Sequence, residues 1–544
     1  MAEQLYFSRD SKLYLEFANK VWEIPVLDGF SFSQSTNQSE ISLSEMQGAD
    51  GLSRRGARVF TDSLAPAEWS FSTYVRPFKF GMGTGSTTDD EHHAVEEALW
   101  AVMAGADAYT ATTAGETGKG DGGIGASPTI TTASSGMTNG VYSVTEQDTG
   151  VVVKASGGST VTDRLGWELD VTVSGGAVSG VAVVTPGAGF STNDTINIDR
   201  ALFGGTTGTD VVLTVGNATS AAGATFYRAV DPDSNSGSGP AVVIPTTTSQ
   251  VINFGQSNRA VLGECNLYFV METAKDKPMV YKLANAAVNE ASIDFEVDGI
   301  ATINWSGFAK TITDLQSAGS VTVNTSTAPA TATGGTVHIK KDSNMLFTVY
   351  SGTGAGVAKQ TAIRDGVDST NTFIRNRLTQ LKVEDKDADT TAFPSTNYNL
   401  TLTGGNITIS NNITYLVPEE LGAVNVPIEH VTGGRTCNGS FTCYLTLDDV
   451  NSNVGTSVEL FNDMTNSGTG GALKKVVNNF EVQFEIGGNV AGQPMLHVTI
   501  PKCHIDVPTH SVEDVISVET NFGAYTDDFS VANELSLEYF GVAV

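Results

Sequence analysis

The sequence predicts an all-β protein, mainly antiparallel barrel or sandwich domains with one flanking helix each, and three observations predict it. Only 17% of its 544 residues are charged while 58 are glycine, a balance that suits strands and turns better than long solvated helices. Hydrophobic residues, 40% of the total, fall repeatedly at a period of two, the spacing of a strand with one buried face. The end of the chain also echoes its beginning. A chain of this length exceeds one ordinary core, so several modules are expected.

In Trp69-Ser70-Phe71-Ser72-Thr73-Tyr74-Val75, residues Trp69, Phe71 and Val75 share one face and Ser70, Ser72 and Tyr74 the other, which is a half-buried strand. Upstream, Val21-Trp22-Glu23-Ile24-Pro25-Val26-Leu27 is shorter, and Pro25 withholds a ladder donor, so it belongs at an edge or a bend. Residues 90–103 switch to helical spacing: Val95, Leu99 and Met103 stack, acidic residues fill the first turns, and Gly105 marks the stop. Residues 111–140 collapse into Gly, Ala, Thr and Ser and read as a linker or loose loop. Short strands with glycine turns, among them Gly175-Gly176, then fill 167–198 as a small inserted module whose exit is marked by a Gly/Ser-rich run at 231–240. Strands resume at Leu267-Tyr268-Phe269-Val270-Met271 and at 293–298, where Ile293, Phe295 and Val297 face one way and Asp294, Glu296 and Asp298 the other. Residues 315–365 are again rich in Thr, Gly and Ala, with short strands at Val337-His338-Ile339 and Met345-Leu346-Phe347-Thr348-Val349.

The repeat is the most informative feature. Trp69 to Val75 is matched by Gly439-Ser440-Phe441-Thr442-Cys443-Tyr444-Leu445. Pro278-Met279-Val280 and Asp298 recur, at one constant displacement, as Pro494-Met495-Leu496 and Asp514; Leu267 to Val270 has an echo in Phe480-Glu481-Val482-Gln483-Phe484. Ala472-Leu473-Lys474-Lys475-Val476-Val477 lies where the first half has its helix. The organisation expected is therefore a first β unit from residues 1–110 with 223–312, an inserted small β module at 132–222, a connector or second insert at 313–364, and a second β unit at 365–544. A two-lobed subunit of this kind can occupy two neighbouring positions in a closed ring.

Catalytic and metal chemistry find no support. The sequence has no GxSxG elbow, Walker A loop, HExxH, or GxGxxG between a strand and a helix. Gly81-Met82-Gly83-Thr84-Gly85 lacks the lysine of a phosphate loop and reads as a turn. His92-His93 diverge on the expected helix and, with Glu96 and Glu97, read as a solvated helix face. Cys503-His504 with His510, framed by Pro501 and Pro508, read as packing; Asp231-Pro232-Asp233-Ser234-Asn235-Ser236 has calcium-type oxygens without recurrence. Pairs such as Asp449 with Glu459, or Asp527-Asp528, are expected by chance among sixty carboxylates. No enzyme activity, cofactor or metal is expected.

Cys265, Cys437, Cys443 and Cys503 form no CxxC pair; a two-residue turn at Asn438-Gly439 would set Cys437 opposite Ser440, and reduced, buried thiols are expected. The formal charge of −30 argues against tight binding of a nucleic-acid backbone over most of the surface, though not against its passage. The N-terminus lacks the apolar core of a signal peptide and no membrane-spanning run is visible, so folding in a cytoplasm with a final location reached by assembly is expected.

Asp28-Gly29-Phe30-Ser31-Phe32, the polar stretch 34–46, Arg54-Arg55-Gly56, Phe60-Thr61-Asp62-Ser63 and Pro66-Ala67-Glu68-Trp69-Ser70-Phe71 resemble the major tail tube proteins of contractile-tailed bacteriophages, especially marine and cyanobacterial ones. Val173-Ser174-Gly175-Gly176-Ala177-Val178-Ser179-Gly180 to Gly189-Phe190 resembles a module of such phages' structural proteins. The resemblance implies a virion protein whose rings stack into a tube inside a sheath, with sheath and baseplate proteins as partners and DNA passing without specific binding. It places Phe30, Phe32, Arg54, Arg55, Arg58 and Phe60 on an arm reaching the adjacent ring, the arginines either pairing with a neighbour's carboxylates or solvated on a loop. Typical members are one compact domain, so this chain is long for the family. Duplication would let three subunits close a pseudo-sixfold ring, with a sixfold ring of larger subunits as the alternative. On this view Asp294, Glu296 and Asp298 are candidates for an acidic bore wall. A tube initiator, terminator or baseplate ring of the same build, and a surface adhesin displaying the insert, are the competing readings.

Overall fold

A computed structural model describes most of the chain; residues 1–4, 42–57, 81–90, 105–122, 220–242, 255–261, 272–276, 325–334, 341–345, 352–357, 386–396, 418–424, 447–454, 466–478, 513–515 and 527–533, with isolated stretches of one to three residues, lie outside the described residues. The first part of the chain forms β1 (Lys12–Phe17), β2 (Lys20–Ile24), β3 (Phe30–Ser33), β4 (Thr36–Ile41), β5 (Arg58–Leu64), β6 (Ala67–Tyr74), β7 (Pro77–Phe80), β8 (Glu91–Ala94) and helix α1 (Glu97–Ala104). Strands β9–β18 occupy 123–219, followed by β19 (Val243–Pro245), β20 (Gln250–Asn253), β21 (Cys265–Met271), β22 (Met279–Glu296), β23 (Thr302–Ala309) and β24 (Thr311–Asp314). Strands β25–β28 occupy 321–361. The remainder forms β29 (Gln380–Asp385), β30 (Asn397–Leu400), β31 (Leu402–Ser410), β32 (Thr414–Leu416), β33 (Glu429–Val431), β34 (Thr436–Tyr444), α2 (Ser457–Thr465), β35 (Phe480–Ile486), β36 (Met495–Ile505), β37 (Thr509–Val512), β38 (Ile516–Ala524), β39 (Ser536–Phe540) and β40 (Val542–Ala543).

Strand pairing follows one plan twice. In the first half the antiparallel neighbours run β2-β1-β21-β22-β24, and β22 also begins a second run, β22-β23-β6-β3. The strand β22 serves both runs because it changes direction near Asn285, whose φ of 51° is left-handed, between its pairing with β24 and its pairing with β23. In the second half the order is β30-β29-β35-β36-β39 and β36/β37-β38-β34-β31. Each strand of these runs has a counterpart at the same place in the chain. Hairpin β4–β5, between β3 and β6, likewise corresponds to β32–β33, between β31 and β34.

Cross-strand partners fix the register of this correspondence. Trp69 lies opposite Gly307, where a Cβ would meet the Ala287 carbonyl oxygen at 2.1 Å and the Trp69 ring at 2.5 Å. At the matching ladder position the sizes are exchanged: Gly439 lies opposite Phe522, whose ring would be 2.4 Å from an added Cβ. Either arrangement fits one large side chain into the layer, as close packing demands.

The halves meet along two antiparallel ladders, β22–β31 and β20–β39. One apolar core runs through both, from Leu13, Trp69 and Trp305 to Phe441, Phe484 and Phe522. The sheets stack as sandwich-like layers, and among the described residues none closes on itself, so the barrel form of the expected fold does not arise. Strands β9–β18 hold a separate core of Tyr142, Trp167, Val171, Ile198, Phe203 and Leu213, and the Gly175-Gly176 turn occurs as expected. Strands begin earlier than composition suggests, since Thr129–Thr132 lies inside the stretch read as a linker. Phe347 of the β25–β28 sheet stacks on Tyr14 of β1 at 4.1 Å.

Three local expectations are corrected. The helical spacing of 90–103 yields a strand, β8, before α1, because β7 supplies an extended partner that pairs Phe78 with His93. Asn438-Gly439 makes no turn: Thr436–Tyr444 is one strand, held straight by β31 and β38 on its two sides, with Cys437 and Cys443 buried as free thiols. The second helix is α2, earlier than the 472–477 segment, which lies outside the described residues.

Candidate functional site

The ladder β22–β31 joins the two halves into an eight-strand antiparallel run, β3-β6-β23-β22-β31-β34-β38-β37. Alternation gives it two unlike faces. Trp69, Phe71, Ile293, Ile303, Trp305, Ile407, Phe441 and Phe522 enter the core on one. On the other, register sets small polar residues side by side across the strands. One row reads Ser31, Ser70, Ser306, Glu290, Ser410, Thr436; the next reads Ser72, Asn304, Ser292, Thr408, Asn438, Gly523; a third reads Tyr74, Thr302, Asp294, Asn406, Ser440, Asn521. Glu296, Gly404, Thr442 and Glu519 make a fourth. None of these rows contains Lys or Arg; the second continues past Gly523 to His504 of β36, which lines one hollow with Asn406, Thr408, Asn438 and Ser440.

Hydroxyls and amides on this face satisfy one another. Ser31 Oγ and Ser70 Oγ are 2.8 Å apart, Ser72 Oγ donates to Asn304 Oδ1 at 2.5 Å, and Asn304 Nδ2 donates to the Asp294 carboxylate. Ser292 Oγ donates to Asp294 Oδ1 at 3.2 Å and receives a bond from Thr408 Oγ1 at 3.2 Å, while Ser440 Oγ donates to Asn406 Oδ1 at 2.8 Å. Partial burial raises the pKa of Asp294, the Ser292 and Asn304 bonds oppose this, and the neighbouring charge of Glu296 adds to it.

The expected acidic trio divides. Asp294 and Glu296 occupy rows of the polar face, whereas Asp298 lies past the end of β22 and meets Arg377 at 3.7 Å, with both side chains exposed. Val297, expected on the apolar face, is 40% exposed because the strand has already ended. Of the expected arm, Phe30 and Phe32 sit in β3 and pack on Phe269 at 4.6 and 4.8 Å. Phe60 lies in β5, 53% exposed beside Val59 at 51%; Arg58 begins β5, and Arg54 and Arg55 lie outside the described residues. The hairpin is braced at its base by the second one, where Leu64 N–H donates to the Asn425 carbonyl at 2.8 Å.

His92, His93, Glu96 and Glu97, expected on a solvated face, are buried. Every residue of α1 is covered by the surrounding strands, so its polar side chains bond inward. His93 Nδ1 and Glu97 Oε2 are 2.8 Å apart, Gln250 Nε2 donates to Glu97 Oε2 at 2.8 Å, and Gly541 N–H donates to His92 Nδ1 at 2.7 Å. The cluster ties β8 and α1 to β20 and the end of the chain. Cys503 is buried, while adjacent His504 turns toward Asp506, 3.6 Å away, so Cys503 and His504 do not converge. Among the described residues no group of three His, Cys, Asp or Glu is placed to hold a metal, and no helix is long and apolar enough to cross a membrane.

The site is thus a continuous antiparallel sheet with one apolar and one polar face, and among the described residues β3 and β37 each pair on one side alone. The chain is similar to the tail tube protein pb6 of Escherichia phage T5, with 25% identity over 288 residues that cover 53% of this chain and 50% of that protein. The chain thus spans half the length of that relative. No family model matches it.

Proposed function

We propose that the protein is a structural, non-catalytic subunit of a viral tail tube, whose copies close into rings with the polar face turned to the bore. The eight-strand run carries this reading: one face is a shared core, the other is polar, its rows free of Lys and Arg and flanked by His504 of β36 beside Gly523. Similarity to the T5 tail tube protein supports it. The matched ladders support a duplication of one unit, so that three chains supply six equivalent positions around a ring. Carboxylates such as Glu68, Glu290, Asp294, Glu296 and Glu519 are the charges of the bore wall, and they repel a phosphate backbone rather than hold it. Exposed Val59 and Phe60 on β5 suit an arm that is buried between stacked rings. Strands β9–β18 and β25–β28 then lie on the outer side, the surface available to sheath and baseplate proteins.

Electron microscopy of the purified protein tests the reading. Rings or hollow tubes are the expected result; a monomer that persists at high concentration overturns it.

A further inference from the structure

Inside each chain, the junction between the halves is β31 laid antiparallel against the last part of β22, with Phe295 opposite Gly405 and Asp294 opposite Asn406. The pairing plan assigns both strands a counterpart. That of β31 is β3, because Phe30 faces Phe71 as Gly405 faces Phe441. That of the last part of β22 is β37, because Ser511 faces Ser517 of β38 as Asp294 faces Thr302 of β23. Among the described residues, β3 pairs only with β6 and β37 only with β38, so each counterpart keeps a free edge.

Resting on the tail-tube reading, we infer that β37 of one copy pairs antiparallel with β3 of the next, with Ser511 opposite Ser31 and Val512 opposite Phe30. Such edge-to-edge addition supplies main-chain hydrogen bonds to both strands and removes two exposed edges per junction.

Side-chain volume fits this register. Within the chain Phe295 fills the space over Gly405, where a Cβ would lie 2.8 Å from its ring, and packs on Phe484 at 5.5 Å. Between chains the large residue is on the other strand: Phe30 already packs on Phe269, the counterpart of Phe484, and the smaller Val512 replaces Phe295. Beside the β3 edge, Tyr6, Phe7, Val26, Leu27 and Phe30 line an open groove of about 360 Å³. The corresponding ground in the second half is covered by the β22–β23 turn, where Ile300 bridges to Arg375.

Engineered cysteines test the register. β3 and β37 end the same eight-strand run, roughly 30 Å apart across the sheet at ordinary strand spacing, so a disulfide between them must be intermolecular. The native cysteines are buried and give little background. Under mild oxidation the variant Ser31→Cys/Ser511→Cys is expected to form covalent oligomers that stop at the ring size, while each single variant stays monomeric on non-reducing gels. Ser33→Cys/Thr509→Cys, in the same register, repeats the test should the first variant fold poorly. Rings or tubes seen by microscopy without an intermolecular disulfide in either variant overturn the edge assignment and leave the tube reading standing. Absence of both rings and disulfide overturns the two together.

Discussion

Glu96 shows how burial changes the chemistry of a residue that the sequence places in polar company. Loss of hydration raises its carboxyl from the usual 4.5 to about 7, against the opposing influence of its own backbone amide, the Tyr539 hydroxyl, and Arg76. Among the described residues no donor meets hydrogen-bond geometry at either oxygen, so desolvation prevails. The folded chain therefore keeps this proton between about pH 4.5 and 7 while the unfolded chain releases it. Stability from this group is complete below pH 4.5 and is lost as pH rises through 7, about 3 kcal/mol in all at ~1.4 kcal/mol per pH unit. Glu96→Gln cannot ionise. In denaturant titrations of the unassembled subunit it is expected to match the parent near pH 5 and exceed it by a few kcal/mol at pH 8. Parallel pH profiles for the two proteins would refute the assignment.

At the scale of elements, hairpin β4–β5 is distinct from the strands that build the core. It forms a two-stranded sheet of its own, and Val59 and Phe60 are more than half exposed. Replacing both with serine removes little buried area from the subunit, so thermal stability should change by less than about 1 kcal/mol. Stacking should suffer much more, and shorter tubes or isolated rings in micrographs are the expected outcome; tubes of unchanged length would mean that the arm does not join rings. Much at this scale was legible. Period-two alternation located β6 and the last part of β22, and an apolar run located β21. What failed was local reasoning about segments whose conformation a distant partner decides. Asn438-Gly439 has the composition of a turn, yet β31 and β38 hold it extended. His92-His93 carry helical spacing, yet β7 pairs with them. Asp298 continued the alternation on paper, but nothing in a strand pattern marks its last residue.

For the whole molecule, the question is why a chain of net charge −30 presents a mostly neutral face along its longest sheet. A conduit wall dense in carboxylates would push DNA to the axis, but its field fades within roughly 10 Å at 0.1 M salt. A wall with basic residues would bind phosphates one by one and hold the strand. Serine, threonine and asparagine side chains bonded to one another, as along Ser72–Asn304–Asp294, have part of their hydrogen-bonding capacity already used and offer a passing phosphate little. On the proposed reading of this face as the bore wall, the sparse carboxylates need only prevent adhesion. The same logic predicts what breaks it. Ser70→Lys with Asn438→Lys adds one cation to each half at exposed positions of the polar face. Tubes of the parent protein are expected to retain no short DNA duplex at 50 mM salt. Tubes of the variant should retain it and release it as salt rises, with an affinity falling steeply on a logarithmic salt scale as counterion release requires. Equal retention by both tubes, or none by a variant that still forms tubes, would overturn the assignment of this face to a wall that DNA touches.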